Sequence, residues 1–274
     1  MVKLGFHPAS WVRKEGGYQA HLLRALREIS ETGWDGFEFH RGLVEMFGGK
    51  VGEFKKILND LDLELSACYY AASYIYPEKR REEMDSAKEV LDFLAELDGP
   101  IFLMDGGAKR PEGNREDDLF KVAEAANQLG EMAESRGIQA VWHIHYGTLL
   151  EVPEVFYRFM ELTDPELVGF CPDTAQLALG GFDLGDVFRS FVDRIKYVHF
   201  KDLGPDRRFV ENGRGVVDFP RLWKVLREHG YEGWIVVDLD YTDFEPKFAS
   251  KICKRYLNEN LGLRGRRDGK LETT

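Results

Sequence analysis

Residues 167–202 read LVGFCPDTAQLALGGFDLGDVFRSFVDRIKYVHFKD. The stretch opens on a short β-rich run, Leu167–Cys171, and closes on another, Ile195–Phe200, with a helix-length segment between them. That spacing suits a parallel crossover and is far too long for a hairpin. The same alternation continues in both directions, with β-rich runs at Lys3–Phe6, Gly36–Phe39, Leu63–Tyr69, Pro100–Met104, Ile138–Ile144 and Trp234–Leu239. The intervening segments carry helical stripes. Leu22, Leu26 and Ile29 form one, and Leu119, Val122, Ala123, Ala126, Leu129 and Ala133 another. Asp218 before Phe219-Pro220 is expected to cap a helix whose buried stripe includes Leu222, Val225 and Leu226.

Eight strand–helix units in 274 residues predict an α/β fold, a single (β/α)8 TIM barrel over residues 1–262 followed by a polar tail at 263–274. No GxGxxG follows the first strand, which disfavours an open dinucleotide-binding sheet. Hydrophobic residues make up 43% and charged residues 31%, the balance of a soluble globular chain. The net charge of −11 argues against nucleic acid and anionic membrane surfaces as partners. Three scattered cysteines with no CxxC pair predict no disulfide framework. Together with an N-terminus lacking a signal-peptide core, they place the protein in the cytoplasm.

Side chains two apart on a strand share a face. At the C-terminal ends of the strand runs, polar residues recur at that spacing: Glu38 and His40, His143 and His145, His199 and Lys201, Asp238 and Asp240. Asp173 follows in phase with Gly169 and Cys171. In a parallel barrel these ends converge on one mouth. Charged groups gathered there are costly to desolvate unless they pair or share a cation. His143, Asp173, His199 and Asp238 therefore form a candidate shell for one divalent metal. Mixed nitrogen and oxygen donors favour manganese, cobalt, iron or zinc over magnesium, and we take manganese as the first expectation. Asp173 and Asp238 also fit a plainer role, capping the helix after their strand.

These residues resemble the xylose-isomerase-like TIM-barrel superfamily, and most closely its sugar phosphate isomerase/epimerase and inosose dehydratase branch. The similarity runs from GFHPASW through TDPELVGFCPDTAQLALGG and YVHFKDL to GRGVVDF and GYEGWIVVDLDY, and includes the HxHxGT motif at residues 143–148. It implies a metal held at the ends of strands five to eight, at His143, Asp173, His199 and Asp238. The family usually has Glu at the first and last of these positions. His145 or Glu151 is the substitute ligand if His143 does not bind.

The implied chemistry is proton removal from a carbon beside a carbonyl, with the metal stabilising an enediolate. Returning the proton isomerises or epimerises the substrate; expelling a β-hydroxyl dehydrates it. His145, Glu38 and Asp240 are the acid–base candidates, and Lys201 is a cation able to polarise a substrate oxygen or to pair with a nearby aspartate. Glu211 and Arg214 flank a GRG turn and are read as substrate contacts, with Glu151, Gln176 and Trp11; Gln176 stands where the dehydratase-like branch often has His. His7 and His40 also fall near the mouth, and Trp142 reads as core. The expected partner is a sugar, keto-sugar or cyclitol. A homo-oligomer is possible, with Leu43, Met46 and Phe47 as a lid or subunit contact. Two rival activities rank lower: a sugar-binding barrel without catalysis, and an abasic-site endonuclease, which seven histidines and the acidic charge disfavour.

Overall fold

A computed structural model describes residues 2–12, 17–97 and 100–266. Eight parallel strands form a nearly closed barrel: β1 (Lys3–His7), β2 (Gly36–His40), β3 (Glu64–Ala72), β4 (Ile101–Gly106), β5 (Ala140–His143), β6 (Val168–Cys171), β7 (Tyr197–His199) and β10 (Trp234–Asp238). Their order is β6-β5-β4-β3-β2-β1-β10-β7. Between β7 and β10 the chain makes a small antiparallel hairpin, β8 (Asp202–Leu203) with β9 (Phe209–Val210). The seam from β6 to β7 is closed only by the isolated bridges Phe170–Ile195 and Asp173–His199. Each barrel strand begins within a few residues of its expected start, and helices fill the intervals.

The period-two rule separates two cores. Ala67, Leu103, Val141, Cys171, Tyr197 and Val236 point inward and fill the barrel. Their neighbours Phe102, Trp142, Phe170, Val198, Ile235 and Val237 point outward and pack under the helices. Close packing inside a narrow barrel leaves room for small residues only at certain positions. At Gly36 an added Cβ would lie 2.3 Å from the Glu64 carbonyl oxygen and 2.7 Å from the Trp234 ring. Asp218 caps the helix Phe219–Glu228 as expected, accepting from Arg221 N at 3.1 Å.

Two expectations about the periphery are corrected. Leu43 and Phe47 are buried, and Phe47 stacks on Phe54 at 4.7 Å, so apolar burial against the barrel leaves them neither a lid nor an exposed contact. In the segment read as a tail, Leu263 is buried and Arg266 Nη1 reaches Asp62 Oδ1 at 3.0 Å; residues 267–274 lie outside the described ones. Among the described residues no helix is long and apolar enough to cross a membrane, and Cys68, Cys171 and Cys253 are buried free thiols.

The loop after the hairpin is held by one buried carboxylate. Asp202 accepts backbone N–H groups from Leu203, Gly213 and Gly215 at 2.9 Å and from Val217 at 3.2 Å. Replacing it leaves several donors to be satisfied at once. Asp202→Ala is therefore expected to destabilise the fold by about 3 kcal/mol, measured by urea unfolding.

Candidate metal centre

The inward-facing residues at the strand ends enclose a cavity of about 250 Å³. Its wall includes His7, Glu38, His40, Tyr69, His143 and His145, and it continues through His199, Lys201, Asp238 and Asp240. All of these lie at strand C-termini or just beyond, where a parallel barrel opens.

Three of the four expected ligands meet, two of them, His143 and His199, in the cavity wall. His143 Nε2 and His199 Nδ1 each lie 3.5 Å from Asp173 Oδ2, and all three residues are buried. None of these three atoms has a hydrogen-bond partner. Buried polar atoms left unpaired are unfavourable, and one cation satisfies all three at once. Tetrahedral ligands bonded at about 2.0–2.1 Å stand about 3.3–3.5 Å apart, close to the two separations from Asp173 Oδ2, and all three atoms lie within 4.8 Å of one another. Two imidazoles and a carboxylate suit a first-row dication. The residues present fit a metal.

Asp173 caps a helix, one of its two anticipated roles, and keeps its second oxygen free for the other. Its Oδ1 accepts from Gln176 N at 2.9 Å and caps the following helix, leaving Oδ2 for the imidazoles. Glu38, expected as an acid or base, is hydrogen-bonded at 2.6 Å to His199 Nε2. It thereby fixes the orientation of Nδ1 on the opposite side of the ring. Burial disfavours charge on His199, yet Glu38 and Asp173 raise its pKa to about 10. On His143 burial is likewise overcome by Asp105 and Asp173, and the pKa rises to about 9. A cation held by these two imidazoles and Asp173 would take the place of their protons.

Asp238, expected as the fourth ligand, is held elsewhere. Its Oδ2 is 2.6 Å from Lys201 Nζ and its Oδ1 3.5 Å from His7 Nδ1. Asp238 is not part of the His143, Asp173 and His199 group. Lys201 is almost fully buried between Asp238 and Asp240. Burial works against its charge, but the surrounding carboxylates overcome that and raise its pKa. Lys201 is therefore a fixed cation and a poor base. His40 is the converse: burial, then His7 and Arg41, lower its pKa to about 4.

His145 lines the cavity, and its Nδ1 lies 2.6 Å from the Tyr146 carbonyl oxygen. Donation there leaves the lone pair on Nε2. Gln176 accepts from Tyr146 N at 3.1 Å and so braces this loop from below. Glu151 pairs with Lys109 and accepts from Gly147 N at 3.0 Å, outside the cavity wall. Trp11 is also away from the cavity: it packs edge-on against Phe6 at 5.5 Å, and its indole donates to Glu28 at 2.7 Å. Apolar burial accounts for it. Glu211 and Arg214 line a neighbouring cavity. Asp105 was not anticipated. It accepts from the Tyr69 hydroxyl and stands 3.8 Å from His143 Nδ1.

A family model described as Xylose isomerase-like TIM barrel matches residues 26–257, most of the chain. The chain belongs to that family. An inosose dehydratase of Clostridium perfringens is 26% identical over 96% of this chain and 98% of its own. A sugar phosphate isomerase/epimerase from Parabacteroides distasonis has a TM-score of 0.72 at 22% identity, covering 94% of each chain. The IOLI protein, solved with a bound zinc atom, has a TM-score of 0.77 at 17% identity, covering 94% of this chain and 97% of that one. These structural likenesses are at the level of the fold.

Proposed function

We propose that the protein is a divalent-metal-dependent enzyme that removes a proton beside the carbonyl of a sugar or cyclitol, isomerising or epimerising it. The observation that carries this reading is the set of three buried, partnerless ligand atoms facing one another beside the fixed cation Lys201. The inosose dehydratase and isomerase/epimerase relatives support the substrate class, and the zinc in the IOLI protein supports a metal in this fold. When bound at His143, Asp173 and His199, a dication supplies charge that stabilises negative charge developing on a substrate oxygen. Lys201 adds a second positive charge at the same mouth, pre-oriented by Asp238 and Asp240. His145 accepts the proton at Nε2 and returns it. Glu38 keeps His199 aligned and takes no proton.

Dehydration is the second reading, favoured by the full-length similarity to inosose dehydratases. There the proton taken up by His145 is not returned to carbon, and a β-hydroxyl leaves with acid assistance.

Incubation of the metal-loaded protein with ketoses and inososes in D₂O is expected to place deuterium on the carbon beside the carbonyl. No exchange across the panel would refute proton abstraction. His145→Gln is expected to slow exchange by about 10²–10⁴-fold while metal content is retained. Parallel loss of metal and activity would make His145 a ligand.

A further inference from the structure

Beside the first cavity lies a second of about 260 Å³, nearly its equal in size. The two adjoin at the hairpin and at the segment after β10. Asp240 lines the first and Tyr241 the second, and the Phe209 ring of the second sits 4.2 Å from Lys201 Nζ of the first.

Tyr241 is 39% exposed yet held in place: its hydroxyl oxygen accepts from Phe209 N at 3.1 Å. Phe209 packs beside this ring at 6.0 Å and the solvent-exposed Arg208 side chain lies over it, so a sugar face reaches the ring by displacing an exposed arginine. The polar wall around it is mixed in sign. Arg214 lies 3.6 Å from Glu211 Oε2, Arg208 lies over the Tyr241 ring, and Asp206 and Asp243 complete the lining. Three carboxylates thus face two guanidinium groups. A phosphate entering here meets like charge that the arginines do not outweigh. A hydroxyl, which both donates and accepts, finds a partner in either group.

We infer that the second cavity is a subsite for a second sugar ring, so that the substrate is a two-ring glycoside whose carbonyl-bearing ring occupies the first cavity. The inference rests on the proposed function for the first ring, and it excludes a monosaccharide phosphate as the preferred substrate.

Two probes test it on the metal-loaded full chain: a free keto-hexose, and the same ring carrying a second hexose through a glycosidic bond. In D₂O exchange the two-ring probe is expected to show a kcat/KM higher by about tenfold, the increment of one aromatic face. Tyr241→Ala is expected to abolish that ratio, whereas Tyr241→Phe, which keeps the ring, retains most of it. Equal rates on the two probes, or an equal fall of both rates in Tyr241→Ala, would overturn the subsite. So would a preference for a hexose 6-phosphate over the two-ring probe. Saturation-transfer NMR on the two-ring probe gives a readout independent of turnover. Signal on the second ring that Tyr241→Ala removes supports the subsite; its absence from the wild-type protein overturns it. If neither probe exchanges deuterium, the proton-abstraction reading fails, and the NMR result alone decides the subsite.

Discussion

Asp173→Asn is expected to lose the divalent metal while the barrel stays folded. The asparagine keeps an oxygen to accept from Gln176 N, now at 2.9 Å, and asparagine caps helices as well as aspartate does. What disappears is the anionic oxygen that stands 3.5 Å from both imidazoles. Removing a partner outside the ligand shell typically weakens metal binding by about 10–100-fold, so loss of a ligand is expected to exceed that range. Metal content after gel filtration, measured by elemental mass spectrometry, provides the check. His199→Ala is expected to lose the metal as well. It also leaves Glu38, 2% exposed, without its hydrogen-bond partner, and is expected to destabilise the fold by about 3–5 kcal/mol. Full metal occupancy in both variants would remove the basis of the proposed centre.

Lys201→Met is expected to lower kcat by about 10²–10³-fold, through loss of the fixed positive charge proposed to act on the reacting oxygen. Methionine matches the lysine stem in length and removes only the cation. The proposed metal ligands are untouched, so metal content is expected to persist. Asp238 and Asp240 then lose the lysine between them, and breaking such a buried pair typically costs about 3–5 kcal/mol. Turnover measured at a temperature where circular dichroism shows the variant folded separates the two effects. A folded Lys201→Met protein with undiminished turnover would reduce Lys201 to a structural ion pair.

The cavity wall was legible to the extent that strand phase alone decides it. His143, Asp173 and His199 could be placed on one surface because side chains two apart share a face and parallel strands end together. Asp105 obeys the same rule, standing in phase with the inward Leu103 in IFLMDGG, and that signal identifies it once every strand is read for it. Partnership was not legible. Glu38 was read as a base because its position faces the mouth; that it faces His199 across the barrel depends on the β2–β7 separation, which no local pattern encodes. Asp238 was grouped with the ligands by strand phase, and the lysine two positions past His199 pairs with it. Trp11 was drawn to the mouth by residue type, whereas packing against Phe6 took it into the core.

Period-two alternation and helical stripes, being local properties of the chain, were enough to specify a parallel α/β barrel and to name the strand ends at which its polar residues collect. Which of those residues share an ion, which brace one another, and that Glu211 and Arg214 line a separate cavity were decided only by the closed barrel. Closure brings β6 beside β7 and sets β2 opposite them, and contacts between residues 161 positions apart in the chain, such as Glu38 with His199, exist only once that ring has formed.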